Sequence, residues 1–142
     1  MSKRKTRKLR PLAERKASCN SVYWRTKADE VFMPQFRGKP CEVCLSYGKT
    51  NTYETCGHHT VTKSTSAYFR HVEKNIVVVC KTHHKTSNDL AFHSTNLLAQ
   101  NAALEWLKEC RPDALECLET YKKFRYTKVD YERIYIELKG GE

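Results

Sequence analysis

The stretch NIVVVCKTHH, residues 75–84, decides the fold because it joins a β-strand to a pair of metal ligands. Its first six residues are rich in β-branched side chains and predict a strand. Cys80 and His83 follow with the C-x-x-H spacing that is typical of one half of a tetrahedral zinc site. The sequence therefore predicts a strand that ends in a zinc knuckle.

The other half of this zinc site lies earlier in the chain, at Cys41-x-x-Cys44. A structural Zn²⁺ ion takes four thiolate or imidazole ligands, and the two pairs together supply three thiolates and one imidazole. Because the region is poor in aliphatic residues, zinc is expected to supply much of the folding free energy. The predicted structural zinc ligands are Cys41, Cys44, Cys80 and His83.

The remaining cysteines leave one alternative open. Cys56, together with His58 or His59, could complete a different finger and so compete for the role of third thiolate. The other three cysteines are interpreted as residues of a tail or a helix face, and by default each is expected to behave as a small buried hydrophobic side chain. These are Cys19, Cys110 and Cys117.

Two adjacent histidines, His58 and His59, follow Cys56 and Gly57 in the sequence CGHHTVTKS. Neighbouring side chains of a strand point to opposite faces, so the two histidines cannot serve the same site. One is expected to bind a metal ion and the other to act on what that ion binds.

His84 is the expected partner of His58 in a second metal site. It comes directly after the zinc ligand His83, and Asn88 follows four residues later on the same face of a predicted helix. His58, His84 and Asn88 are therefore predicted to hold a second ion, while His71 and His93 are interpreted as surface or packing residues.

The order of elements predicts an α+β protein in four parts. These are a basic arm over 1–18 that orders only on binding, a helix and linker over 19–40, a zinc-bound core over 41–95 and a helical region over 96–142. Pro34 should end or kink the first helix. The predicted elements are a helix over 21–36, β segments at 60–61 and 75–80, and helices over 81–94, 96–110, 113–124 and 127–138, the last opened by a TKVD capping box.

The positive charge is concentrated at the N-terminus. The net charge is +10, and residues 1–40 carry twelve Lys or Arg against three Asp or Glu, whereas residues 41–142 carry fourteen against thirteen. A basic arm on a nearly neutral body favours a polyanionic partner such as DNA, although a solvated tail that aids solubility has the same composition. The arm residues expected to contact DNA are Lys3, Arg4, Lys5, Arg7, Lys8 and Arg10.

The sequence also favours a cytoplasmic location, which would be the host cytoplasm for a phage-encoded protein. No stretch is long and apolar enough to span a membrane, and no apolar segment follows the basic start as in a signal peptide. In that reducing compartment, seven cysteines indicate metal binding in preference to disulfides.

The motifs together resemble the HNH (ββα-metal, or His-Me finger) endonucleases, and among them the phage NinG/Rap recombination nucleases. The resemblance covers residues 39–88 well and residues 21–139 loosely. It implies a small zinc-stapled ββα-metal core, a β-hairpin plus a helix, flanked by an N-terminal helix and C-terminal helices. The motifs that carry it are YW at 23–24, KPCEVC at 39–44, GHH at 57–59, KNIVVVC at 74–80 and CKTHHKTSN at 80–88.

The resemblance also implies roles for individual residues. His59 corresponds to the general base that activates water, and Asn75 to the residue whose side chain holds the His59 loop in place. His58 and His84 correspond to ligands of a catalytic divalent cation, Mg²⁺ or Mn²⁺, that neutralises charge on the scissile phosphate.

The chain departs from the family at two positions. His83 stands where the family has a fourth zinc cysteine, which zinc chemistry tolerates. Thr55 and Cys56 stand where NinG-like proteins carry an Asp, so the catalytic metal lacks an obvious carboxylate ligand.

The expected function is metal-dependent hydrolysis of DNA phosphodiester bonds, on branched recombination or replication DNA such as Holliday junctions. The alternatives are a sequence-specific HNH nicking or homing-type endonuclease, a non-catalytic zinc-knuckle protein that binds nucleic acid, and an inactive relative kept for assembly. The C-terminal helices could pair two protomers, and such a homodimer would suit two-strand cleavage. Side chains near the core expected to contact phosphates are Lys63, Arg70, Lys81 and Lys85.

Overall fold

The structure, a computed structural model, describes residues 18–140. Apart from Ser18, the predicted basic arm and its six candidate DNA contacts lie outside the described residues. Those residues form a two-stranded sheet surrounded by helices, which agrees with the predicted mixed class. The elements are α1 (Val22–Phe32), α2 (Glu42–Ser46), β1 (Cys56–His59), β2 (Ile76–Val79), α3 (Leu97–Cys110), α4 (Pro112–Thr120) and α5 (Tyr131–Leu138).

The two strands pair antiparallel, with Cys56 opposite Val79 and His59 opposite Ile76. All four residues of β2 are buried, because one face of the strand packs toward α2 and α3 and the other toward the end of α1. Burial on both faces explains the unbroken apolar run. The predicted strand at 75–80 is therefore confirmed, but the β segment at 60–61 was wrong, since β1 ends at His59.

The larger part of the core lies between β2 and the helices that follow it. Trp106 and Leu107 of α3 pack against Val43 of α2 and against Val77 and Val79. The Trp106 indole N–H also donates to Ser46 Oγ at 2.9 Å, so its buried polar atom has a partner. This packing joins the C-terminal helices to the segment that carries the zinc-ligand pairs.

The helix predicted over 21–36 is present, with a change of type near Pro34. Ser21 caps it by accepting the Trp24 N–H, and the α-helix ends at Phe32. A tighter 3₁₀ turn, Met33–Phe36, contains the proline, which has no N–H to continue the α-helical hydrogen bonds. At its other end α1 lies along α5, where the rings of Trp24 and Tyr135 are 5.7 Å apart.

The helix predicted over 81–94 was wrong. A single wide helical turn, Thr82–Thr86, closes with a hydrogen bond from the Ser87 N–H to the Thr82 carbonyl at 2.8 Å. Ser87 is extended, and its hydroxyl accepts the N–H groups of Asp89 and Leu90, each at 3.1 Å. These bonds replace helical ones, so the chain bends away. The strand pair is thus followed by one helical turn, and not by the long helix expected of the ββα core.

The C-terminal helices agree with the sequence, apart from their boundaries. Asn96 caps α3, and a 3₁₀ turn, Tyr121–Phe124, extends α4. The last helix begins at Tyr131, with Asp130 accepting the Arg133 N–H at 2.9 Å, so Asp130 is the cap and the predicted 127–130 box does not form the helix start. Among residues 18–140, no helix has the length and apolar character required to cross a bilayer.

Candidate metal centres

The first candidate centre contains three thiols and one imidazole. The ligand atoms of Cys41, Cys44, Cys80 and His83 all lie within 4.8 Å of one another. His83 Nδ1 is 3.6, 3.4 and 3.3 Å from the three sulfurs, in that order. Tetrahedral zinc with these donors would separate them by about 3.5 to 3.8 Å. The cluster could therefore hold a zinc ion, as the two spacings predicted.

Local hydrogen bonds bring the first cysteine pair together. Cys41 precedes the short helix α2 and donates its N–H to the Asn51 carbonyl at 2.8 Å, while the Lys49 N–H donates to the Cys44 carbonyl at 2.9 Å. Gly48 turns the chain between them with a φ of 76°, a conformation that glycine adopts without steric cost. The loop thereby closes back on the knuckle.

The electrostatics of this cluster suit a cation. Burial, together with the neighbouring Cys41 thiol, raises the pKa of Cys44 to about 11. Adjacent thiolates repel one another in a poorly solvated place, and a divalent cation removes that repulsion because the thiolate is its ligand. Metal binding is therefore coupled to the release of thiol protons.

The other cysteines lie outside this cluster. Cys117 is buried among apolar side chains, as interpreted from the sequence, whereas Cys19 and Cys110 are exposed. Cys56 lies beside His84, with Sγ 3.9 Å from His84 Nδ1. The Cys₃His set therefore uses Cys80 as its third thiol, and Cys56 belongs to different surroundings.

The second candidate centre contains three imidazoles. The ligand atoms of His58, His84 and His93 lie within 4.8 Å of one another, and the ring centroids are 4.5 to 5.2 Å apart. The predicted meeting of His58 with His84 is present. His93, which was predicted to be a surface or packing residue, also belongs to this group. It comes close because its N–H donates to the His84 carbonyl at 2.7 Å and the Phe92 N–H donates to the His83 carbonyl at 3.0 Å. Neither helical nor strand periodicity in the sequence predicts these hydrogen bonds between residues 92–93 and residues 83–84.

Asn88 was proposed as a third ligand because a helix would place it beside His84. The helical turn ends at Thr86, and Asn88 is exposed in the following bend. The spacing on which its role depended is therefore absent.

Burial keeps the imidazoles of the second centre neutral. It lowers the pKa of His58 to about 3, and His93 and His84 contribute to that shift; the pKa of His84 falls to about 4 for similar reasons. Neutral imidazole is the form that binds metal. His58 Nδ1 is buried and has no hydrogen-bond partner within the described part of the chain.

The three imidazole donors of the second centre limit which metal ion it can bind. Imidazole nitrogen suits zinc, nickel, iron or copper, whereas Mg²⁺ requires oxygen ligands and keeps most of its waters. Among residues 18–140, no carboxylate belongs to this group of three histidines. It therefore fits zinc, nickel, iron or copper better than the expected Mg²⁺ or Mn²⁺.

His59 lies on the other face of β1 and is oriented by a backbone carbonyl. Its Nε2 donates to the Arg70 carbonyl at 2.9 Å, which leaves the lone pair on Nδ1. Burial lowers the pKa of His59, although the Arg70 carbonyl partly offsets this. His59 nevertheless lines the same open cleft of about 400 Å³ as His58, His84 and His93.

Asn75 holds the segment that follows His59. Its side chain is fully buried, accepts the Val61 N–H at 2.8 Å and donates to the carbonyls of Val61 and Phe69, both at 3.1 Å. Its own carbonyl accepts the Thr60 N–H at 2.8 Å. Residues 60–61 are thus held on both sides.

Gly57 allows β1 to approach the end of α1. A Cβ atom there would lie 2.8 Å from Ile76 Cγ2 and 3.1 Å from Phe36 Cβ. A side chain at this position would displace the strand that carries both His58 and His59.

The predicted phosphate-contact residues have different surroundings. The Arg70 guanidinium binds both carboxylate oxygens of Asp29 in α1, at 2.9 and 2.6 Å, and is therefore already paired. Lys63, Lys81 and Lys85 are exposed. Lys63 lines the cleft that contains His59.

Comparisons with known proteins add no relative from which a role could be transferred. The chain matches no family model, no curated protein and no solved structure.

Proposed function

We propose that the protein is a metal-dependent DNA endonuclease of the HNH class. The observation that carries this proposal is that His59 and the three-histidine centre line one cleft, although His58 and His59 point to opposite faces of β1. Phosphodiester hydrolysis requires a base for water beside a cation for phosphate, and the cleft offers candidates for both.

His59 is the general base in this proposal. Water adds to phosphorus, one P–O ester bond breaks, the proton of water goes to His59 Nδ1, and the leaving oxygen takes a proton from solvent water. A metal ion held by His58, His84 and His93 would polarise the phosphate and neutralise the leaving oxygen.

Two hydrogen-bonding groups position the base in this proposal: the backbone carbonyl of Arg70 and the side chain of Asn75. The Arg70 carbonyl accepts the Nε2–H of His59 and selects the tautomer whose Nδ1 can accept a proton. Asn75 holds the following residues through Val61 and so limits movement of the loop. The Cys₃His centre serves structure in this proposal, by joining α2 to the end of β2.

DNA is the proposed substrate because the chain is basic and the cleft has a basic side chain. Lys63 lies at the cleft, and the N-terminal sequence carries most of the net positive charge. Phosphate contacts of this kind position DNA without reading its sequence. Branched recombination DNA is proposed from the resemblance to the NinG/Rap nucleases.

A second candidate function is that of a zinc-dependent DNA-binding protein without catalysis. The Cys₃His cluster and the basic N-terminal sequence favour it equally well. It gives no role to the three-histidine centre or to the orientation of His59.

Cleavage of an end-labelled four-way junction and of its linear arm duplex tests the proposal. Wild type, His59→Ala and the exposed-site control Asn101→Ala would be compared at equal zinc content, with EDTA, Mg²⁺, Mn²⁺, Ni²⁺ or added Zn²⁺. Metal-dependent cuts should fall by about 100-fold or more in His59→Ala alone, because general-base catalysis contributes that much.

Preference for the junction over the duplex would support the branched substrate. Tight DNA binding by all three proteins without cleavage in any metal would overturn the nuclease and favour the non-catalytic alternative.

A further inference from the structure

Cys56 is a thiol at the second centre that the proposed mechanism does not use. It precedes His58 by two residues on β1, so the two side chains share a face of the strand. Cys56 Sγ lies 3.9 Å from His84 Nδ1, and the residue is half-buried. The thiol therefore touches the three-histidine group at one of its members.

This sulfur–nitrogen distance is 0.3 to 0.6 Å longer than the corresponding distances inside the Cys₃His cluster. There, the ligand atoms of Cys44 and Cys80 are also 3.9 Å apart, and sulfur lies 3.3 to 3.6 Å from His83 Nδ1. Tetrahedral zinc places sulfur and nitrogen ligands about 3.5 Å apart. A shift of a few tenths of an ångström would bring Cys56 and His84 to that separation. Sγ would have to move further to approach His58 and His93 as well, because it lies outside the 4.8 Å that the ligand atoms of the three histidines share.

A separate observation indicates that this place binds a ligand. His58 is only 6% exposed, and its Nδ1 is buried without a hydrogen-bond partner among the residues that the structure describes. A buried polar atom without a partner costs free energy, and a metal ion would supply the missing partner. Three imidazoles also leave one position of a tetrahedral shell for another donor.

We propose that Cys56 is the fourth protein donor of the second centre, which makes it a His₃Cys site. This inference rests on the second metal centre of the proposed function. A thiolate donor selects zinc, cobalt or nickel over Mg²⁺ and Mn²⁺, because soft sulfur binds these metals more strongly. A phosphate oxygen can still bind, since a catalytic zinc ion can expand to five ligands.

Cobalt absorption tests the assignment without any assay of cleavage. The full chain would first receive one equivalent of Zn²⁺ to fill the thiol-rich Cys₃His centre, and Co²⁺ would then be titrated in. A cobalt–thiolate bond produces a near-ultraviolet charge-transfer absorption, whereas three imidazoles alone do not. Wild type, Cys56→Ser and the exposed-thiol control Cys110→Ser would be compared, with far-ultraviolet circular dichroism to verify that each is folded.

The expected result is a charge-transfer band in wild type and Cys110→Ser that is absent in Cys56→Ser. The Co²⁺ dissociation constant at this centre should rise about tenfold or more in Cys56→Ser, as after loss of a supporting metal contact. In Cys56→His, a nitrogen donor should restore affinity without the band.

Co²⁺ bound after zinc loading without a charge-transfer band would overturn the assignment of Cys56 but leave the metal centre of the proposed function intact. Failure of wild type to bind any Co²⁺ after zinc loading would overturn both. These two results are distinguishable in a single titration.

Discussion

The side chain of Asn75 makes two hydrogen bonds with Val61: its Oδ1 accepts the Val61 N–H at 2.8 Å, and its Nδ2 donates to the Val61 carbonyl at 3.1 Å. Asn75 directly precedes β2, and Val61 lies two residues after His59. The pair therefore joins the start of one strand to the end of the other. The backbone beyond His59 depends on this one buried amide.

Asn75→Ala is expected to lower the free energy of unfolding by about 2 to 4 kcal/mol, because the buried N–H and carbonyl of Val61 lose their partner. The Phe69 carbonyl loses one of its two hydrogen bonds and keeps the one from the Val72 N–H. Urea unfolding at fixed zinc concentration measures the change. Asn101→Ala, at an exposed position of α3, should alter the same quantity by less than about 0.5 kcal/mol. Equal stability of the two variants would contradict a structural role for Asn75.

Cys44→Ser is expected to remove the metal ion from the Cys₃His centre, because serine is a poor zinc ligand. Structural zinc contributes on the order of 10 kcal/mol in small zinc domains, so the variant should also lose its cooperative unfolding transition. Mass spectrometry of metal content and circular dichroism check the two effects. Cys110→Ser, which changes an exposed thiol, should keep both properties; full zinc content in Cys44→Ser would refute the assignment.

Two variants test which residue is the third ligand of the second centre. His93 is the third ligand in the structure, whereas Asn88 was predicted from a helix over 81–94, so His93→Ala and Asn88→Ala should differ in their effect. His93→Ala should weaken metal binding at the second centre by about 10-fold or more and leave the first centre filled. Asn88→Ala should leave both centres unchanged, because Asn88 is exposed beyond the helical turn. Isothermal titration with Zn²⁺ or Ni²⁺ after zinc loading measures both. If Asn88→Ala weakened metal binding at the second centre and His93→Ala did not, Asn88 would be the third ligand, as the predicted helix implied.

The stability of the fold should depend on pH through His71. Burial lowers the pKa of His71 from its usual 6.5, and the nearby guanidinium groups of Arg70 and Arg25 act in the same direction, although the hydrogen bond to Asp29 opposes them. The Nδ1 atom of His71 has no hydrogen-bond partner in residues 18–140. The folded imidazole therefore binds a proton less strongly than the unfolded one, so unfolding takes up protons around and below pH 6.5.

The free energy of unfolding should consequently fall as the pH drops below that value, by at most about 1.4 kcal/mol per pH unit from this residue. His71→Gln keeps a donor for Asp29 but does not titrate, so its stability should fall less steeply. Urea unfolding of both proteins between about pH 7.5 and about pH 5.5 gives the two slopes, and zinc release affects each protein alike. Parallel slopes would show that His71 does not contribute.

Arg70 and Lys63 should differ in what they support. Arg70→Ala breaks the paired contacts with Asp29 and is expected to cost about 2 kcal/mol of stability. Lys63→Ala should leave stability unchanged but weaken DNA binding uniformly and reduce the salt slope of log Kd by about 1. Fluorescence anisotropy at several salt concentrations measures the second effect. A stable Arg70→Ala variant with weakened DNA binding would assign Arg70 to the DNA instead.

Features that depend on the spacing of residues within one segment could be predicted from the sequence. C-x-x-C and C-x-x-H each bring two ligands together within about one turn of chain, and the apolar run before Cys80 can only be a buried strand or helix. Alternation along a strand likewise placed His58 and His59 on opposite faces before any fold was known. These inferences needed no contact between distant segments.

Contacts between segments that are distant in the sequence could be seen only in the tertiary structure, because neither helical nor strand periodicity predicts them. His93 joins the second centre through backbone hydrogen bonds between residues 92–93 and 83–84, and Arg70 is directed to Asp29 by the packing of α1. The helix predicted over 81–94 failed because the Ser87 hydroxyl bonds the N–H groups that follow it, a local competition that helical periodicity does not record. Such contacts arise between loops, where partners depend on the position of the whole chain and not on the interval between residues.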